Sequence, residues 1–161
     1  MPTVIDANVL AALFSKSHED GRDSRIRGLI ADARATRSRL IVPAPVFAEF
    51  AVKARDKELE FITGQHVFKL VPFDAVAALE CGFLIRDVFT QESKKDRHAI
   101  KFDLQILAIA KVSRATRLVT NDRQLRNRSI SLGIPAISIL ELPVPDNEKQ
   151  TELSLDDPSQ G

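Results

Sequence analysis

Thr3-Val4-Ile5-Asp6-Ala7-Asn8-Val9-Leu10 opens the chain with a short apolar run, halts it on an aspartate, and continues in a helical pattern as far as Phe14. A short apolar run followed by a longer helical pattern is the repeating unit of a parallel sheet with crossover helices. The same change recurs along the chain. Strands are predicted at Thr3 to Ile5, Leu40 to Val42, Val67 to Val71, Arg117 to Thr120 and Ala136 to Ile139. Helical patterns cover Asn8 to Phe14, Arg22 to Thr36, Val46 to Lys53, Lys57 to Ile62, Asp74 to Thr90, Phe102 to Ser113 and Arg123 to Leu132. Pro45 falls in the first turn of its helix, where a missing N–H costs nothing. Asp74 and Ser93 read as N-caps, the latter with Asp96 as a capping box. The class is α/β.

Composition sets the outer limits. A chain of 161 residues suits one domain with a real core, and 44% hydrophobic with 28% charged residues is a globular balance. No run of eighteen apolar residues is present to span a bilayer. The N-terminus lacks the basic-then-apolar order of a secretory signal, so a cytoplasmic location is expected. The single cysteine, Cys81, reads as a small core residue. Charge is uneven: residues 144–161 hold five acids and one base, net −4, which leaves the first 143 residues at +5. That division predicts a domain over 1–143 and a flexible acidic tail over 144–161, where Pro, Ser, Gln and acids leave little to bury. The mildly basic body suits a polyanionic partner, although many domains with this balance bind none.

Four acids stand out. In a parallel α/β sheet, ligands gather at the carboxyl ends of the strands. Asp6 directly follows the first strand, and Asp122 follows the fourth after one intervening Asn121, so both face the same sheet edge. Each equally suits a plain helix N-cap. Asp103 shares a helical stripe with Ile106, Leu107 and Ala110, where an unpartnered carboxylate is costly to desolvate. Its partner would be a metal ion, Lys101, or an arginine in a buried ion pair. Glu49 falls beside the face formed by Phe47, Phe50, Ala51 and Ala54, so periodicity leaves it open between a site and a solvated surface.

Oxygen ligands without cysteine or paired histidine suit hard cations such as Mg²⁺ or Mn²⁺. Such an ion, held by carboxylates, activates water and neutralises phosphoryl charge, which is the chemistry of phosphodiester cleavage. Other catalytic patterns fail. His18, His66 and His98 lack ligand spacing, and neither a P-loop nor Gly-x-Ser-x-Gly occurs. Asp6-Ala7-Asn8 also lacks the second aspartate of a haloacid-dehalogenase-like phosphotransferase.

These residues sit in four signatures that together resemble the PIN-domain family, and within it the VapC-type toxins of bacterial toxin–antitoxin pairs. The signatures are Val4-Ile5-Asp6-Ala7-Asn8-Val9-Leu10, Pro43-Ala44-Pro45-Val46-Phe47-Ala48-Glu49-Phe50, Lys101-Phe102-Asp103-Leu104-Gln105-Ile106-Leu107-Ala108-Ile109-Ala110 and Leu118-Val119-Thr120-Asn121-Asp122. The resemblance covers about residues 3–142 and implies a three-layer α/β/α fold with a central parallel sheet of four to five strands. It also implies a Mg²⁺- or Mn²⁺-dependent endoribonuclease with Asp6, Glu49, Asp103 and Asp122 as catalytic metal ligands. Asn8 and Thr120 match positions that orient those carboxylates. A cognate antitoxin and a homodimer are the implied partners. The stretch from Ser15 to Asp20 and the tail after Pro143 match no family pattern.

RNA binding draws on phosphate contacts from Lys and Arg. Arg97, Lys101 and Arg123 are the candidates nearest the acids in sequence, and each equally suits a solvated helix end. Phe14, Phe47, Phe50 and Phe61 read as core. The competing functions are a noncatalytic PIN-like module that binds RNA or protein, and a housekeeping PIN nuclease without an antitoxin.

Overall fold

A computed structural model describes residues 1–15, 20–89 and 97–146. The predicted N-cap at Ser93, the end of the fifth helical pattern at Thr90 and the tail beyond Asp146 lie outside the described residues.

In chain order the elements are β1 (Thr3–Ile5), α1 (Ala7–Phe14), α2 (Arg22–Ala35), β2 (Leu40–Pro43), α3 (Ala44–Ala51), α4 (Asp56–Gly64), β3 (Phe68–Val71), α5 (Ala75–Phe89), α6 (Arg97–Val112), β4 (Arg117–Val119), α7 (Arg123–Ser131) and β5 (Ala136–Ile137). A 3₁₀ turn, Ile139–Glu141, follows. All five strands are parallel, in the order β3-β2-β1-β4-β5. The chain steps from β1 to β3 in one direction, then crosses over to β4 and β5. Right-handed crossovers therefore send the first two connections to one face of the sheet and the last two to the other, which makes three layers. The reversal point lies between β1 and β4, the position where such sheets open a crevice.

The strands are short and apolar because both faces are covered. All of β1 and β2 is buried, the pattern of a central parallel strand. Helix α6 is buried on nearly every side: Leu104 and the run Ile106 to Ala110 are at most 1% exposed. It packs mainly on α5 and also reaches α3 and β2. A helical stretch apolar on all sides belongs in an interior, so the Ile106–Ala110 run makes α6 the pillar of the second helical layer. Cys81 is buried and free. Phe50 is core, with Phe14, Phe47 and Phe61 packed against it. Asp74 caps α5 by accepting a hydrogen bond from the Ala77 N–H at 2.9 Å.

Element boundaries moved where packing outweighed local pattern. Helix α6 is described from Arg97, five residues before the predicted start at Phe102, and buried Ile100 extends its core face one turn ahead of Leu104 and Leu107. Strand β5 stops at Ile137 instead of Ile139. Ser138 and Glu141 form a capping box that turns the chain into the 3₁₀ segment and buries Ile139. The chain then continues along α2, where Arg25 donates to the Leu142 carbonyl and Pro145 lies against Gly28.

Truncating the pillar tests this account. Ile109→Ala removes a fully buried side chain, and the cavity should cost about 2–5 kcal/mol. Urea unfolding followed by circular dichroism reads this as a lowered midpoint at unchanged slope.

Candidate metal centre

Asp6 ends β1 and caps α1, so its carboxylate is held at the reversal point. It is 6% exposed yet fully engaged. Oδ1 accepts from the Ala7 N–H at 2.7 Å. Oδ2 accepts from Asn8 Nδ2 and from the Thr120 hydroxyl, each at 2.7 Å. Thr120 is fully buried at the end of β4. The register of Ile5 opposite Val119 sets its hydroxyl level with Asp6. The same oxygen accepts the Asp122 N–H at 3.0 Å. Asn8 closes the ring: its amide also reaches Thr120 Oγ1 at 3.3 Å, and its carbonyl accepts the Asn121 N–H at 3.1 Å. Asn8 and Thr120 thus occupy the supporting positions expected of them.

Asp122 caps α7, with Oδ1 accepting from the Gln124 and Leu125 N–H groups at 2.8 and 3.1 Å. The N-cap alternative for both aspartates therefore describes real bonds; Asp122 still has Oδ2 to present to a cleft, whereas both Asp6 oxygens already accept hydrogen bonds. Asp6, Asn8, Glu49, Asp103 and Asp122 all line a single cleft of about 290 Å³, with Phe102 and Ile106 in its wall. Glu49 arrives on α3, which follows β2 without a loop. Periodicity left this residue open, and its position settles it onto the cleft wall.

The charges feel one another. Burial raises the Asp6 carboxyl above its ordinary range; hydrogen bonds from Thr120, Ala7 and Asn8 pull the other way, and Asp122 repels. Glu49 is raised by local desolvation and by the charges of Asp6 and Asp122, although much of its side chain meets solvent. Asp103 is raised to about 6, by burial first and then by Asp122, with Arg128 opposing.

Arg128 is the residue that sequence reasoning missed. Its Nε stands 3.4 Å from Asp103 Oδ2, with the two side chains 18% and 14% exposed. That length is an ion pair rather than an ideal hydrogen bond. Of the three partners considered for Asp103, the structure supplies the arginine. A signal was present: Leu125, Arg128, Ser129 and Leu132 follow i, i+3, i+4, i+7 spacing, so Arg128 sits on the inward stripe of α7 with buried Leu125 and Ser129. Arg97, Lys101 and Arg123 are exposed and do not line the cleft. Lys101 lies roughly 200° round α6 from Asp103, which turns it away.

Four carboxylates, three of them raised and repelling one another, form an all-oxygen donor set that fits a hard divalent cation. As the side chains stand, no three of the described His, Cys, Asp and Glu residues are grouped so that they could hold a metal ion. Arg128 draws Asp103 aside, and Asp122 Oδ1 is engaged by its own helix.

The family model described as PIN domain matches residues 3–130. This chain belongs to the PIN-domain family. Solved structures with the same PIN fold include VapBC2 from Rickettsia felis bound to a promoter DNA fragment, at 15% identity and TM-score 0.61 over 86% of this chain and 98% of that one. FitAcB from Neisseria gonorrhoeae matches at 17% identity and TM-score 0.57 over 87% and 99%. VapBC-1 from nontypeable Haemophilus influenzae matches at 16% identity and TM-score 0.58 over 88% and 100%. Comparison with curated proteins returned no match.

A raised carboxyl makes stability depend on pH. Protonated Asp103 is favoured in the folded PIN domain, so its contribution is full below the unfolded value near 3.8 and is lost as pH rises through about 6. In chelator-treated protein, Asp103→Asn should be the more stable form at pH 7. Its advantage in thermal midpoint should vanish as pH falls from 7 to 4.

Proposed function

We propose that this PIN-domain protein is a divalent-metal-dependent endoribonuclease and the toxin of a toxin–antitoxin pair. The observation that carries the nuclease reading is the convergence of Asp6, Glu49, Asp103 and Asp122 on one cleft at the reversal point of the sheet. Asp6, Glu49, Asp103 and Asp122 would hold Mg²⁺ or Mn²⁺. The ion would supply an acidified water and charge neutralisation on the phosphate. The chain's own residues do the positioning. Thr120 and Asn8 fix the Asp6 carboxylate and leave it no free rotamer. Thr120 also ties the Asp122 backbone to the same point, so ligands from β1 and β4 keep a constant spacing. Phe102 and Ile106 line the wall beside Asp103 and limit water there. Arg128 balances Asp103 while no metal is held.

The toxin reading is supported by the structural neighbours, whose names describe VapBC assemblies. A groove of about 480 Å³ between α1, α3 and α4, lined by Ala11, Phe14, Phe50 and Val52, shares Ala7, Asn8 and Glu49 with the acidic cleft. An antitoxin segment seated there would cover the mouth of the site. Val76, Leu79 and Phe83 form an exposed i, i+3, i+7 stripe on α5, a face suited to a second copy of the chain. A cytoplasmic location accords with this reading, since no helix among the described residues is long and apolar enough to cross a membrane.

One feature favours a noncatalytic module instead: Asp103 and Asp122 already have protein partners. Two measurements separate the readings. Millimolar Mn²⁺ should raise the melting temperature of the wild type by several degrees and that of Asp6→Asn far less. RNA cleavage, with 5′-phosphate ends mapped by sequencing, should fall at least about a hundred-fold in Asp6→Asn and Asp103→Asn. Equal cleavage in all three proteins removes the assignment of these acids. The absence of both cleavage and metal stabilisation leaves the noncatalytic module.

A further inference from the structure

Three helices run into the strands that follow them through the same turn. At the end of α2, Ser38 N–H reaches the Ala33 carbonyl at 2.8 Å and Arg37 N–H reaches Arg34 at 3.2 Å. At the end of α6, Ala115 reaches Ala110 at 2.9 Å and Arg114 reaches Lys111 at 3.0 Å. At the end of α7, Ile134 reaches Ser129 at 3.0 Å and Gly133 reaches Ile130 at 2.9 Å. Each is a Schellman turn whose central residue must adopt a left-handed backbone. Gly133 does so at φ 80°, as a glycine should, whereas Arg37 and Arg114 do so at φ 52°. A side chain there strains the backbone. α7 shows that the chain supplies glycine at this turn in one place and arginine in two.

The two arginines face a common surface. Loops 36–39, 65–67, 113–116 and 132–135, which enter β2, β3, β4 and β5, contain no acidic residue. The turns at the opposite strand ends carry Asp6, Asp74 and Asp122. Arg37, Arg39, Lys69 and Ser113 line one shallow depression of about 250 Å³, and Arg114 adjoins Ser113. Arg39 is braced by donating to the His66 carbonyl, and Arg117 by donating to Thr3 Oγ1 at 3.0 Å. None of Arg37, Arg39, Lys69, Arg114 and Arg117 has a carboxylate partner among the described residues. A row of unpaired guanidinium and ammonium groups with no exposed aromatic residue suits phosphodiester oxygens rather than bases or an apolar protein surface.

We infer that the amino-terminal edge of the sheet is a second RNA contact, a sequence-indifferent dock for the phosphodiester backbone on the pole opposite the acidic cleft. It rests on the ribonuclease reading, and it makes the preferred substrate an RNA long enough or folded enough to touch both poles. The strands between them, of two to four residues, are at most about 13 Å long, so one RNA can reach round the domain.

The test replaces the two strained arginines by Asn, the side chain that best tolerates this backbone, in an Asp6→Asn background with chelator. Fluorescence anisotropy then follows a long hairpin RNA, a short single-stranded RNA and duplex DNA across a salt series. Arg37→Asn/Arg114→Asn should weaken the long RNA roughly ten-fold at low salt and flatten the slope of log affinity against log salt by about 1.4–1.8. Melting temperature should hold or rise, and Lys at both positions should restore binding. With Asp6 intact, short-RNA cleavage should be unchanged. Unaltered long-RNA affinity and slope would overturn the dock, as would a loss confined to duplex DNA. If no protein cleaves RNA, the nuclease reading fails while the anisotropy result still decides the dock.

Discussion

The hydroxyl of Thr120 is the joint on which the site turns. It gives its proton to Asp6 at 2.7 Å and takes the Asp122 N–H at 3.0 Å, tying the ends of β1 and β4 together where the chain order reverses. A buried carboxylate is tolerable only when its oxygens are satisfied. Asp6 meets that condition with donors from three places: its own helix, Asn8 and the neighbouring strand. The parallel pairing of β1 with β4 is therefore a precondition of the site as well as of the sheet. A one-residue register slip would turn Thr120 to the opposite face.

Asp6 and Asp122 were legible in the sequence because strand ends and helix starts are local features. The N-cap reading holds for both, and Asp122 keeps its second oxygen clear of its cap while both oxygens of Asp6 are bonded. Glu49 was legible only through the family resemblance and not through periodicity. Helical angle placed it at the margin of the core face, and only the absence of a loop between β2 and α3 carries it to the cleft. Asp103 was legible as a residue in need of a partner, but the partner was not, because Arg128 comes from a helix twenty-five residues on. The first turn of α6 was legible in part through Ile100, on the stripe of Leu104 and Leu107, whereas the end of β5 is set by the Ser138–Glu141 turn, a limit that strand pattern does not record.

Charge is sorted along the strand axis. The carboxyl ends of the strands gather Asp6, Asp103 and Asp122, while the loops entering the strands hold only bases and neutral residues. The same polarity helps explain why a net charge of +1 says so little: acids and bases cancel in the count and not in space. A polyanion approaching the acidic cleft alone would be repelled until a cation is bound there. Basic groups elsewhere on the domain can hold it meanwhile.

Both ends of the molecule depart from the most stable choice in the same sense. At the cleft, burial first and neighbouring like charges second raise Asp6, Glu49 and Asp103 together, and Arg128 offsets part of this for Asp103. At the opposite edge, two arginines occupy a backbone conformation that glycine would take without strain. Local rules that fail for no packing reason point to function more than to architecture. Elsewhere the local rules hold: α6 is apolar from Ile106 to Ala110, and Gly133 stands where the third turn requires it. Among the described residues the two left-handed arginines lie at the surface, and a buried α6 supplies the stability that tolerates them.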